Sequence, residues 1–203
     1  MNKDNAYDER YAEEGYYWGK KPSESCEKAL EFIEEPHGKK LLDLGCGEGR
    51  NAVYFAEKGF RVTALDLSEE GLKKARRYAE EKGVEIKTIH ADLNDYSLKE
   101  KYDVIFSTGS LQYIPKESRK DRFEEYKEYT VEGGLNVMSV FVKKPFIEEA
   151  PDAEESAELY KSGELMMYYH DWKILFTAEK IFDCDSGGVP HRHAIDRVIA
   201  KKL

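Results

Sequence analysis

Two features have the residue types and spacing to hold a nucleoside-bearing ligand: the run Leu41-Leu42-Asp43-Leu44-Gly45-Cys46-Gly47-Glu48-Gly49-Arg50-Asn51, and a carboxylate at Asp66. The aliphatic front of the run suits a buried parallel strand, and Ala52, Val53, Phe55 and Ala56 give the next segment a helical apolar stripe. Between them the glycines allow a tight turn, close approach of backbone to a ligand, and close packing of the helix on the strand. The helix start adds free N–H donors for an anionic group. A dinucleotide fingerprint, Gly-x-Gly-x-x-Gly, begun at Gly45 needs its third glycine at position 50, where Arg50 stands; begun at Gly47 it ends in Ala52, which its looser form allows. Arg61-Val62-Thr63-Ala64-Leu65-Asp66, followed by Leu67, reads as a second strand that ends in a carboxylate placed to accept both hydroxyls of a ribose. Ribose is therefore indicated, and pyrophosphate is not required.

Alternating strand and helix patterns must position these groups, and they predict an α/β fold: a doubly wound, mostly parallel sheet with helices on both faces. Helices are expected at about 23–35, 50–58, 68–82, 116–130 and 163–170, with Ser68 as an N-cap and Gly83 as a stop. Strands are expected at about 40–44, 60–65, 84–90, 102–107, 135–142, 172–182 and 193–201, which makes seven, with Gly133-Gly134 introducing the fifth. At 203 residues the chain reads as one domain, 1–203. Residues 143–161 carry Glu148, Glu149, Asp152, Glu154, Glu155 and Glu158 with little apolar periodicity, so 143–171 reads as an acidic insertion that caps the site or lies as a solvated loop.

Acidic residues outnumber basic ones 41 to 32, for a net charge of −9, and the basic residues are dispersed, so nucleic acid is not an expected partner. Lys73, Lys74, Arg76 and Arg77 alternate with Leu72, Ala75 and Ala79 and read as the solvated face of an amphipathic helix. Lys3, Asp4, Asp8, Glu9 and Arg10 stand where a signal peptide needs an apolar core, and no eighteen apolar residues run together, so a cytoplasmic protein without membrane attachment is expected. The three cysteines, Cys26, Cys46 and Cys184, have no metal-ligand spacing.

The full pattern Asp-x-Gly-x-Gly-x-Gly from Asp43, joined to Asp66, resembles the class I S-adenosylmethionine-dependent methyltransferases, whose cofactor offers this loop an amino-acid carboxylate and ammonium instead of phosphates. Gly49-Arg50-Asn51, and Gly163-Glu164-Leu165 with Tyr168-Tyr169 and Trp172, resemble the TehB-like, tellurite-resistance branch. The resemblance implies the Rossmann-like methyltransferase fold, with the last two strands as an antiparallel hairpin at the sheet edge. It implies S-adenosylmethionine as cofactor, held by Asp43, Gly45, Cys46 and Gly47, with Arg50 and Asn51 beside it. Asp92 would accept from the adenine amino group with the Leu93 N–H facing the ring, and Ser107 and Thr108 would offer carbonyls to the ammonium. Tyr11 and Trp18 would belong to an N-terminal lid, residues 1–21, folded over the cofactor.

The chain departs from that branch at Tyr16-Tyr17-Trp18-Gly19, and it lacks the branch's Gly-Glu-Leu-His-Arg stretch after Trp172. In its place stands Asp183-Cys184-Asp185-Ser186-Gly187-Gly188-Val189-Pro190-His191-Arg192-His193, where His191 and His193 project to one face of an extended segment. That pair suits substrate contact or hairpin packing, and two histidines without a third ligand fall short of a metal site. Methyl transfer asks the protein to hold nucleophile, carbon and sulfur in line and to exclude water, a task for aromatic walls: Trp18, Tyr113, Tyr168 and Tyr169 are the candidates. Tyr113, His191 and His193 are the expected catalytic groups, the histidines as bases, and the expected substrate is a small molecule with a soft thiol or chalcogen nucleophile. Two other classes compete. A nicotinamide oxidoreductase shares the architecture, but the fingerprint is imperfect; a silent cofactor-binding module predicts a pocket blocked by the acidic insertion.

Overall fold

The computed structural model describes residues 5–150, 156–185 and 188–203, with side chains from Tyr7 onward. The expectations placed on Lys3, Asp4, Asp152, Glu154, Glu155, Ser186 and Gly187 lie outside the described residues. The elements run α1 (Asn5–Ala12), α2 (Glu24–Leu30), β1 (Lys40–Leu44), α3 (Arg50–Glu57), β2 (Arg61–Asp66), α4 (Glu69–Glu81), β3 (Ile86–His90) and β4 (Tyr102–Thr108). After a single 3-10 turn (Leu111–Tyr113) come α5 (Lys116–Glu128), β5 (Thr130–Phe141), α6 (Glu164–Met167), β6 (Lys173–Cys184) and β7 (His191–Lys201).

The seven strands form one sheet in the order β3-β2-β1-β4-β5-β7-β6. β1 pairs in parallel with β2 and β4, β2 with β3 and β4 with β5, whereas β7 pairs antiparallel with both β5 and β6. This is the expected α/β architecture with an antiparallel edge, and β7 lies between β5 and the edge strand β6. Because the chain winds outward from β1 to β3 and then returns to β4, β1 and β4 flank the switch point where open α/β sheets bind ligands.

The period-two alternation of each strand sorts the core. Leu42, Leu44, Leu65, Ile105, Met138 and Val198 pack on one face with Phe123, Tyr126 and Tyr169, and Leu41, Val62, Ala64, Val104, Val137 and Ile199 pack on the other with Cys26, Phe55 and Leu72. Each fully buried Leu or Phe contributes about 1.5–3 kcal/mol by leaving water.

Local sequence chemistry explains where expected boundaries move. The helix expected to reach residue 35 stops at Leu30, because the Phe32 and Ile33 N–H groups bond the Ala29 and Leu30 carbonyls in tight turns. The fifth strand starts at Thr130 instead of 135, with Gly133-Gly134 inside it where the pairing with β4 shifts register. Thr130 is anchored there: its hydroxyl donates to the Tyr126 carbonyl and accepts from Asn136 Nδ2, both at 2.7 Å. The helix expected at 163–170 is the four-residue α6, and the closing hairpin is longer than expected, at 173–184 and 191–201. Ser68 caps α4 as expected, its hydroxyl accepting from the Gly71 N–H at 3.0 Å. No helix among the described residues is long and apolar enough to cross a membrane.

Candidate active site

The C-terminal ends of β1 to β4 converge on one cavity at the switch point, lined by Gly45, Cys46, Gly47, Arg50, Asn51, Asp66, Leu67, Asp92, Leu93 and Thr108 from the sequence-derived set. Asp66 ends β2 and is pinned from both sides: one carboxylate oxygen accepts from the Gly47 N–H at 2.7 Å, the other from the Ser68 N–H at 2.8 Å. A carboxylate offers about four lone-pair sites, so each oxygen can still accept from a hydroxyl. Burial raises the Asp66 carboxyl above its ordinary value, while those two amide donors pull the other way.

Asp43 lies under the loop, 1% exposed, and does not line the cavity. Its Oδ2 has no hydrogen-bond partner, and burial, reinforced by the charge of Asp66 and opposed by Arg50, pushes its carboxyl up to about 7. Asn94, which lines the cavity, also carries an unpaired buried acceptor, Oδ1. The orphaned Asn94 acceptor and the Asp66 carboxylate at the wall, with the Asp43 carboxyl behind the loop, fit a ligand that brings hydrogen-bond donors and positive charge; an ammonium, a sulfonium, an adenine amino group and ribose hydroxyls meet that demand. S-adenosylmethionine has all of these.

The N-terminal segment closes the cavity from above. Tyr11 of α1 is buried, and a β-carbon at Gly47, whose φ is +52°, would stand 2.9 Å from the Tyr11 hydroxyl oxygen. That hydroxyl accepts from Trp18 Nε1 at 3.0 Å, and burial next to Asp66 raises its pKa well above the ordinary tyrosine range. Glu48 accepts from the Trp18 N–H and from Lys74 Nζ, Arg50 donates to the Trp18 carbonyl at 3.1 Å, and Ser68 Oγ donates to Asp8. On the far side of the loop, a β-carbon at Gly49 would fall 2.9 Å from the Ala75 Cα, so this glycine seats α4 against the loop.

Asn51 joins elements instead of ending at the cavity alone: its amide donates to Thr108 Oγ1 at 3.2 Å and accepts from the Ser23 N–H at 2.9 Å. Ser107 is fully buried and does not line the cavity; its hydroxyl donates to the Leu44 carbonyl, which ties β4 to β1. Asp92 borders the cavity and also forms a turn, with Oδ1 accepting from the Asn94 N–H at 2.8 Å.

A second chamber adjoins the first and shares Tyr7, Trp18, Gly109, Tyr113 and Phe141 with it. At the junction the Tyr7 and Tyr113 hydroxyls bond at 2.6 Å with their rings edge to face. His193 lines the second chamber between the rings of Phe141 and Phe182, whereas His191 lines neither chamber. Tyr168 and Tyr169 do not wall the pocket either. Tyr168 stacks on Phe123 at 4.2 Å, and Tyr169 is buried with its hydroxyl donating to Asn136 Oδ1.

Sequence reasoning missed Tyr7, Glu48, Ser110 and Phe141. Tyr7 carried a signal: it stands four residues before Tyr11, so the two share one helical face. Phe141 carried none, because on the strand pattern it reads as core.

Comparison with known proteins agrees with this geometry. Residues 6–188 match the family model described as tellurite resistance protein TehB. A probable S-adenosyl-L-methionine-dependent methyltransferase TehB from Haemophilus influenzae is 32% identical over 136 residues, covering 67% of this chain and 46% of that protein. The chain thus spans about half the length of the curated relatives it matches. The crystal structure of TehB from Haemophilus influenzae superposes with a TM-score of 0.78 at 25% identity, over 100% of this chain and 68% of that one. A magnesium protoporphyrin IX methyltransferase from Synechocystis, solved with bound SAM, shares the fold, with a TM-score of 0.63 at 18% identity over 88% of this chain and 78% of that one. A family match over nearly the whole chain, on a fold whose glycine loop, Asp66 and N-terminal segment all meet at one cavity, places this chain in the TehB family of class I S-adenosylmethionine-dependent methyltransferases.

Proposed function

We propose that this protein transfers the methyl group of S-adenosylmethionine to a small soft nucleophile, a thiol or a chalcogen of the tellurite or selenite type. The observation that carries the reading is the pair of adjoining chambers, one fitted to a cationic nucleoside and the other meeting it at the Tyr7–Tyr113 junction. When bound, the cofactor supplies an electrophilic methyl carbon on a sulfonium. Asp66 holds the ribose, the Leu93 backbone and Asp92 face the adenine, and Asp43 with the Thr108 region of β4 balances the amino-acid end. Tyr11 and Trp18 keep water from the loop. Tyr7, Tyr113 and Phe141 fix the line of approach for the nucleophile, which is the main service a displacement at carbon asks of a protein.

Support for a soft, anionic acceptor comes from the walls. Phenol, indole and phenyl groups are not bases near neutral pH, so the junction suits a nucleophile that arrives already ionised. Arg10, Lys143, Lys144 and Arg192 border the second chamber together with Glu148, Glu149 and Glu158, so charges of both signs face it. His193 is the group in that chamber able to take a proton from a neutral thiol. We assign residues 1–21 as the lid and 143–171 as the cap within a single domain spanning 1–203; Ser156 reaches the first chamber, and Ile147 and Glu158 reach the second. A cytoplasmic setting, with small-molecule substrates and no nucleic-acid partner, belongs to the same reading and accords with the acidic balance of the chain.

The test is transfer of a radiolabelled methyl group to a panel of thiols, selenite, tellurite and small amines. Label in the thiol or chalcogen products is the expected result; label in amines alone overturns the acceptor assignment, and none at all leaves a binding module. Calorimetry separates the last outcome from a failed cofactor assignment: Asp66→Ala should weaken S-adenosylmethionine by about tenfold or more, the loss of a charged hydrogen-bond acceptor.

A further inference from the structure

Away from the two chambers' junction, the hairpin of β6 and β7 brings together three side chains that the reading above does not use as a group. Cys184 and His191 are direct cross-strand partners at the end of the hairpin, and His193 follows two residues on, on the same face. The antiparallel pairing of β6 with β7 is what sets the cysteine beside the histidines. One ligand atom from each of the three lies within 4.8 Å of the others.

We propose that Cys184, His191 and His193 form a binding site for a divalent transition-metal cation of the zinc class. The donor set is one sulfur and two imidazole nitrogens, the mixture that zinc and its neighbours prefer and that calcium and magnesium avoid. His191 is oriented as metal-bound histidines are: its Nδ1 donates to the Val189 carbonyl at 2.7 Å, which fixes the tautomer and makes Nε2 the acceptor nitrogen. That Nε2 meets His193 Nε2 at 2.8 Å, so the two nitrogens already point at a common place. A cation ligated by both nitrogens displaces the proton that His193 Nε2 shares with His191, which moves to His193 Nδ1, and the thiol proton of Cys184 passes to solvent as its sulfur becomes a thiolate ligand. The flanking rings of Phe141 and Phe182 restrain His193. Three protein ligands leave one tetrahedral position for water or a small ligand, and His193 is the member that borders the second chamber.

The proposal does not depend on methyl transfer, and its test reads no activity. The full chain, purified without a histidine tag, is titrated with Co²⁺ and followed by absorption. The expected result is one Co²⁺ bound per chain with tetrahedral ligand-field bands and a thiolate-to-cobalt charge-transfer band, both erased by added Zn²⁺. Cys184→Ser should lose the charge-transfer band. Cys26 lies in the core and Cys46 in the glycine loop at the first chamber, so neither belongs to the cluster with the two histidines. His191→Ala and His193→Ala should each weaken binding by at least the ~10- to 100-fold that loss of an outer-shell partner costs. Absence of the bands in the wild-type chain, or a charge-transfer band that survives Cys184→Ser, overturns the site. Because the three residues sit at a hairpin end, circular dichroism of each variant should match the wild-type chain and excludes misfolding as the cause.

Discussion

Asp43 is a buried carboxylate whose second oxygen has no partner, and Asp66 lies close enough to raise its pKa. The folded chain keeps the Asp43 proton up to about pH 7, whereas the unfolded chain releases it near the ordinary aspartate value. Its contribution to stability is therefore fully present below the ordinary aspartate value, falls progressively as the pH rises from there, and is gone above about 7. Asp43→Asn should flatten this dependence, and a melting series between the ordinary aspartate value and about pH 7 would show the variant losing less stability than the wild-type chain as the pH rises. A cationic ligand reverses the preference, because it stabilises the ionised form. Binding of S-adenosylmethionine should then tighten between roughly pH 6 and 7.5 and release protons, seen as buffer-dependent heats in calorimetry. In Asp43→Asn the pH dependence and most of the proton release should vanish; if both persist, the titrating group is another.

At the scale of elements, the acidic stretch after β5 shows where reading a sequence stops. Its charges read as solvated loop or cap, yet what holds it down is Tyr160, fully buried under the Arg119 guanidinium at 3.7 Å from ring centroid to cation, with a hydroxyl donating to the Leu111 carbonyl. Arg119 is itself buried, pairs with Glu164 at 2.9 Å and also bonds the Glu158 and Ile114 carbonyls. Arg119→Ala should cost about 3–5 kcal/mol by removing the cation from Glu164 and the donors from the Glu158 and Ile114 carbonyls, and should make the segment around Tyr160 the first site of limited proteolysis. By contrast, the strands, the Ser68 cap, the glycine loop and Asp66 were legible because each is local: spacing or periodicity fixes it within a few residues. The role of Tyr168, Tyr169 and Ser107 in packing was not, since a tyrosine facing the core and one facing a cavity have the same neighbours in sequence. Nor was the meeting of Cys184 with His191, which depends on hairpin register alone.

At the scale of the molecule, winding outward from β1 and back through β4 delivers four strand ends to one place, and inserting β7 beside β5 brings the hairpin to the second chamber's wall. Over this frame the N-terminal segment is fastened by contacts spread across the sheet: Asp8 to Ser68, Trp18 to Glu48, Arg50 to the Trp18 carbonyl, and Tyr7 to Tyr113. On the proposed reading of this segment as a lid, it lifts for each exchange of spent for fresh cofactor. The clock of steady-state turnover then belongs to the motion of a chain segment through solvent, so turnover should slow in proportion to added viscogen and respond little to how reactive the acceptor is.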